Sequence, residues 1–326
     1  MKTLTTLMAL IVGASLVQAD IQLNENLTIS GFIDSSYSHS EDEMGSSESS
    51  SENSFDVDQV EIDFILNFDQ VSGQIDIQSI GGKDLHVEQA FFSYDLGNGS
   101  SISAGQMDGM LGFEAKEPTG LYQYSTAYDV VSQVTGVKYA YEADGTFITV
   151  SLLDGYNAYG DDGRLGGSGS SNYAVEVAVG SQLTDNLSSF VGAFFEDFDT
   201  SSSTSGDAHG FNAYIVYEQD ALTAALELFY TESDFGNDDS GVETIGGLAM
   251  INYVVSEQGS VTGRISYVEE DFGSYYDAHS VQYTAAYSHA VTENLLLVLE
   301  VSFADGDYNN VDEDSTMGAL EAIFTF

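Results

Sequence analysis

The chain of 326 residues carries 6 Lys and Arg against 53 Asp and Glu, a formal charge of -47, which excludes nucleic acid as a partner because binding phosphates needs clustered cations. Its 20 Tyr and 19 Phe supply more apolar surface than an acidic disordered chain carries. It has no Cys, so disulfides, thiolate chemistry and Cys-based metal sites are excluded together.

Residues 1–19 read as a secretory signal: Lys2 is a basic start, Leu7 to Val17 an apolar core too short to span a bilayer, and Val17, Gln18 and Ala19 precede a cut ahead of Asp20. No later apolar run reaches the roughly 18 residues of a transmembrane helix. Residues 20–326 are therefore expected in the periplasm, in the medium, or in an outer membrane crossed by strands.

From Leu27 onward the residues alternate. Leu27, Ile29, Gly31 and Ile33 oppose Thr28, Ser30 and Asp34; Val60, Ile62, Phe64, Leu66 and Phe68 oppose Glu61, Asp63, Asn67 and Asp69. The same pattern returns in Leu222 to Tyr230 against Thr223 and Glu227, and in Leu295 to Phe303 against Glu300 and Ser302. It predicts about 16 strands, at 27–38, 56–69, 72–80, 85–95, 100–107, 133–143, 146–154, 172–182, 187–198, 209–219, 221–233, 243–256, 259–271, 278–290, 293–304 and 315–326. Short turns alternate with longer acidic connections at 39–55, 81–84, 108–132, 155–171, 199–208, 234–242, 272–277 and 305–314. Loop length sorted by parity is what a transmembrane antiparallel barrel produces, with short periplasmic turns and longer outer loops. A dry core could not hold this many carboxylates, so the polar face is the inside.

The segment 105–134 breaks the pattern. It contains Pro118, the only proline, and is the third long connection, expected to fold inward as a constriction. The last strand ends on Phe326, with Phe324, Ala322, Leu320 and Gly318 on the same face, which is similar to the C-terminal signal by which outer-membrane barrels are recognised for assembly.

The stretches ISAGQMDGMLGFEAKEPTGLYQYSTAY (Ile102 to Tyr128) and VTGVKYAYEADGTFITVSLLDGYNAYGDDG (Val134 to Gly163) resemble the OmpL-like β-barrel porins of Gram-negative bacteria. There a strand ending near Ala-Gly is followed by a Gly-aromatic-Glu turn and an aromatic-rich insert. The resemblance implies an outer-membrane pore in contact with lipid and lipopolysaccharide, and by size class a homotrimer.

With the apolar faces outward, Asp34, Glu61, Asp63, Asp76, Glu176, Glu196, Glu227, Glu300 and Glu321 point into the lumen against Lys138 and Arg264, with Asp108, Glu114, Lys116 and Glu117 near the constriction. Carboxylates in a pore concentrate cations. The expected function is passive, weakly cation-preferring diffusion of small solutes and ions, without cofactor, metal or catalysis; the alternative is a closed structural or adhesive barrel whose acidic loops bind partners or divalent cations. Asp305, Asp307 and Asn309 start a calcium-loop pattern that Asn310 and Thr316 break, and the Gly-rich run at 160–171 lacks the tandem repeats of a calcium β-helix. His39, His86, His209, His279 and His289 belong to no motif that supplies a nucleophile or base.

Overall fold

The computed structural model describes residues 20–45, 48–128, 133–155, 173–201, 204–234, 241–273, 277–309 and 311–326. The expected signal, the Gly-rich run at 160–171 and Asn310 lie outside them. The strands are β1 Ile21–Asn24, β2 Leu27–Met44, β3 Glu48–Phe68, β4 Val71–Ile80, β5 His86–Gly97, β6 Ser100–Asp108, β7 Gln133–Ala143, β8 Thr146–Leu153, β9 Tyr173–Thr184, β10 Leu187–Ser201, β11 Thr204–Gln219, β12 Leu222–Asp234, β13 Gly241–Ser256, β14 Gly259–Asp271, β15 Asp277–Thr292, β16 Leu295–Tyr308 and β17 Val311–Thr325.

From β2 to β17 each strand pairs antiparallel with its neighbours in sequence, and β17 returns to β2, Thr325 opposite Phe32 and Glu313 opposite Met44. Sixteen strands thus close into a barrel with no free edge, the form in which strands can sit in hydrocarbon with every backbone group bonded. Among the described residues no helix is long and apolar enough to cross a membrane. β1 is a seventeenth strand that the alternation did not reveal, four residues being too few to show a period. It pairs with the start of β2, Ile21 opposite Ile29, beyond the point where β17 ends with Phe326 and Gly31 exchanging both backbone hydrogen bonds at 3.0 Å.

The faces sort by the strand period of two. Leu226, Leu228, Tyr283, Tyr287, Leu299, Val301, Leu320 and Phe324 are on the outside, while Glu227, Thr284, Glu300 and Glu321 on the same strands are buried inside. Short connections use residues that accept positive φ: Asn98 and Gly99 at 56° and 80°, Asp144 and Gly145 at 51° and 74°, the pairs favoured in two-residue hairpins because their twist matches that of the strands.

Three expectations are corrected. Much of the sequence expected as long acidic loops is strand: β2 and β3 pair out to Met44 and Glu48, β10 and β11 to Ser201 and Thr204, β16 and β17 to Tyr308 and Val311. A membrane is crossed by about 9–11 strand residues, so β3 with 21 continues well into water. There both faces are wet and Ser, Asp and Glu fit either one, so alternation disappears while the ladder continues. The irregular segment is shorter than 105–134, because Gly105 to Asp108 complete β6. The inner face is not uniformly polar either: Phe190, Phe194, Phe198 and Phe229 are buried within it, opposite the apolar side chains of the insert described below.

Gly105 lies where β6 crowds β5. Its φ is +137°, and a Cβ there would stand 2.2 Å from the Ala90 carbonyl oxygen and 2.6 Å from Phe91 Cα. Gly105→Ala should cost about 1–3 kcal/mol from its backbone conformation alone, and more from the clash. The expected result is a smaller folded, heat-modifiable fraction on unheated SDS gels after refolding, with Gly318→Ala, whose added Cβ meets nothing within 4 Å, as the neutral control.

Candidate functional site

Between β6 and β7, residues 109–128 form no strand. Gly109, Gly112 and Gly120 withhold side chains for a sheet face, and Pro118 withholds an N–H and opens a 3-10 turn over Pro118–Gly120. A segment without its own ladder must bond its N–H groups elsewhere. This one uses acceptors on the barrel wall. Met110 N donates to Glu176 of β9 at 2.9 Å, Gly112 N to the Asn212 side-chain oxygen of β11 at 3.1 Å and Phe113 N to Glu227 of β12 at 2.7 Å. Tyr124 N and Ser125 N donate to Glu300 of β16 at 2.8 and 3.2 Å. On the other side, Lys116 Nζ lies 3.1 Å from Glu88 of β5. β5 and β12 stand seven strands apart in a ring of sixteen, so the insert reaches nearly opposite walls.

Two polar junctions hold it. Glu227 also accepts from Asn212 Nδ2 at 2.7 Å and from Tyr128 Oη at 2.9 Å. Arg264 of β14 donates from Nη1 to Glu114 at 2.6 Å and to the Ser125 carbonyl at 2.7 Å, and from Nη2 to Thr284 at 3.1 Å; Glu114 itself accepts from Ala127 N at 2.6 Å. Such ionised hydrogen bonds are roughly twice as strong as neutral ones. Apolar contacts complete the docking. Met110 and Leu111 pack with Phe190, Phe194 and Ala178, and Phe113 and Tyr122 with Val216, Leu248 and Met250. Phe113 meets Tyr214 edge-on at 5.7 Å, and Tyr128 lies 4.3 Å from Phe229.

The expected wall residues Asp34, Glu61, Asp63, Asp76, Glu176, Glu196, Glu227, Arg264, Glu300 and Glu321 are all buried on the inner face. Asp108, Glu114, Lys116, Glu117 and Lys138 are half-buried. Glu176, Glu227 and Glu300 are joined to the insert, as are Arg264 and Glu114 to one another. Lys138 lies beside Met110, its Nζ 3.7 Å from the sulfur. Asp63 accepts from Ser30 at 3.0 Å and Asp76 from Gln74 at 2.8 Å, and Asp34 neighbours Glu321 across the β2–β17 seam, where Tyr124 of the insert lies 3.1 Å from Ser36 Oγ through its own Oη. Within the insert, burial and then the Asp108 and Glu88 charges push the Glu117 carboxyl up to about 7. Burial and the Glu227 charge push the Tyr128 phenol above its usual range.

Alternation missed one wall carboxylate. Counting back from the outward Tyr94 and Phe92 puts Glu88 on the lipid side, yet it is fully buried inside. Asp76 pairs with Gln89 and Ile77 with Val87, so Glu88 is the extra residue of a β-bulge, which resets the phase. Gln106 Nε2 holds the bulge through the Glu88 carbonyl at 2.8 Å. The signal was present in the sequence, since a carboxylate on the lipid face is costly enough to demand a phase slip. Asn212, Ser125 and Tyr128 gave no such signal; only the course of the insert brings them to the junctions.

A closed ring of sixteen antiparallel strands, apolar outside, charged within and crossed by an insert, is the architecture of an outer-membrane porin. The chain belongs to the family described as Putative beta-barrel porin-2, OmpL-like, which matches residues 26–326. Comparison with curated protein sequences gives no match. Among solved structures, the outer membrane channel DcaP of Acinetobacter baumannii is similar with TM-score 0.70 at 14% identity over 92% of this chain and 97% of that one. The anion-selective porin of Comamonas acidovorans has TM-score 0.67 at 11% identity, over 92% and 99%. Salmonella typhi OmpF, solved with daunomycin, has TM-score 0.67 at 13%, over 94% and 100%. At these identities the likeness establishes the fold, and the family match establishes an outer-membrane porin.

Lys116 is the only Lys or Arg between residues 109 and 128, so trypsin reports on the seating of the insert. Glu227→Ala leaves Phe113 N, Asn212 and Tyr128 without their acceptor, a loss of about 3–5 kcal/mol for a broken buried ionic junction. The expected outcome is rapid cleavage after Lys116 in Glu227→Ala, with the wild type resistant under the same conditions and the strands of both intact.

Proposed function

We propose that the protein is a passive diffusion porin of narrow bore that prefers cations, with the insert as its constriction. The observation that carries this reading is the imbalance of the inner wall: among the described residues ten carboxylates are buried there against the single buried cation Arg264. Glu176, Glu227 and Glu300 are engaged by the insert, while Asp34, Asp63, Asp76 and Glu321 cluster on β2, β3, β4 and β17. These carboxylates give the lumen a field that favours positive charge. This polarity is opposite to that named for the Comamonas acidovorans porin, and the shared fold does not carry over selectivity.

The remaining readings follow the same architecture. Residues 1–19 direct export, and Phe326 on the outer face of β17 addresses the barrel-assembly machinery. The exposed apolar band meets lipid and lipopolysaccharide. Vibrio cholerae OmpT, of similar fold, has been solved in a trimer form, and we read a homotrimer here. The protein performs no catalysis: His39 and His209 lie beside Glu41 and Glu232 at 3.5 Å, as hairpin contacts. A closed barrel is the second reading, favoured by the nearly complete burial of the wall carboxylates around the insert.

Single-channel recording of the refolded protein under a KCl gradient separates these. Stepwise openings with a cation-selective reversal potential are expected, and deletion of residues 108–130 should raise the conductance several-fold. An anion-selective reversal would overturn the charge assignment; silence from a folded, heat-modifiable barrel would favour the closed reading.

A further inference from the structure

Three carboxylates meet where the insert touches the wall opposite Glu227. Glu61 of β3, Glu88 of β5 and Glu117 of the insert each place an oxygen within 4.8 Å of the other two. Oxygens bound to one Ca²⁺ at about 2.3–2.6 Å stand at most about 5 Å apart, whereas the shorter bonds of Mg²⁺, about 2.0–2.1 Å, allow only about 4 Å. All three oxygens therefore fit around one Ca²⁺, which accepts irregular coordination where Mg²⁺ demands near-ideal octahedral geometry.

A second observation concerns Glu88 itself. It is 0% exposed, and its oxygens have no donor besides the Lys116 ammonium, 3.1 Å from Oε1, and the neighbouring Glu61 carboxyl, which can donate only when protonated. Nearby, Asp76 Oδ1 and Asp108 Oδ1 are likewise buried without a hydrogen-bond partner. A buried carboxylate facing others is unstable unless a cation or proton compensates it. With all three carboxylates ionised, one ammonium leaves two negative charges, which one divalent cation neutralises.

We propose that Glu61, Glu88 and Glu117 form a Ca²⁺ site inside the barrel that fastens the insert to the wall of β3 and β5, with Lys116 competing for Glu88. The ion ties one residue of the insert to two strands, complementing the Glu227 and Arg264 junctions on the other side. The site rests on the inward course of the insert and not on conduction, so a barrel that binds Ca²⁺ and never opens would leave it standing while removing the pore.

Equilibrium dialysis of the refolded full chain against radioactive Ca²⁺ tests this in 0.5 M KCl, where screening suppresses diffuse binding to the acidic hairpins. The wild type is expected to retain one Ca²⁺ per chain. Glu88→Gln and Glu117→Gln should each weaken it about tenfold or more, Lys116→Met should tighten it, and Asp312→Asn should change nothing. Glu117→Gln alters only the insert and leaves the strands intact, so it remains decisive if Glu88→Gln fails to fold. Ca²⁺ should also slow trypsin at Lys116 in Glu227→Ala, where cleavage is rapid, and EDTA should reverse the effect. Equal retention by wild type and both Gln variants would place the ion in the hairpins, and no retention by the wild type would mean that the carboxylates share protons instead; either result overturns the proposal.

Discussion

The constraint on which the structure depends is the requirement that no backbone group go unbonded in hydrocarbon. Closure of β17 on β2 meets it, and the seam shows how tightly. Phe326 and Gly31 exchange both of their backbone bonds, and Gly31 has no room for a side chain, since a Cβ there would lie 2.3 Å from the Glu61 carbonyl oxygen. β1 then covers the start of β2 beyond the end of the last strand. Outside the membrane the same ladder continues as hairpins in which either face tolerates Ser, Asp and Glu, because water is available to both.

The same rule, applied inside, explains the wall carboxylates. An irregular insert brings backbone N–H groups into a space partly shielded from water, and those donors need acceptors. Glu176, Glu227 and Glu300 provide them, and in return their charges are solvated by fixed N–H dipoles in place of water. Their burial is thus compatible with a stable barrel, where isolated carboxylates in a dry core would not be. Aromatic side chains of β10 to β12 do the corresponding work for Met110, Leu111 and Phe113. The inner wall is consequently divided: apolar and hydrogen-bonded along β9 to β14, where most of the docking contacts lie, and acidic along β2, β3, β4 and β17 beside the buried Phe32 and Ile323.

This division bears on specificity. Charge that is already bonded to the insert contributes field but offers few free lone pairs, whereas Asp34, Asp63, Asp76 and Glu321 are bonded within the wall itself. Selectivity in such a barrel depends on how the insert distributes the carboxylates between scaffold and passage, and not on their number alone. Barrels of this fold can then differ in the ions they admit, since the strands constrain only which face is inside.

Alternation by itself determined the all-strand class and the number of strands in the ring, and the carboxylates on one face, too many for a dry core, put that face inside. Asp34, Glu61, Glu227, Glu300 and Arg264 stand buried on the inner face. Alternation also marked the insert, since Pro118 and its glycines cannot continue a ladder. What the tertiary structure alone decided was everything set by long-range contact: the bulge that turns Glu88 inward, the meeting of Glu61 and Glu88 with Glu117, and the bonds from residues 110–125 to strands as far as 176 positions away. A local period records the side on which a residue lies. It carries no information on what a non-repeating segment touches once the ring has closed.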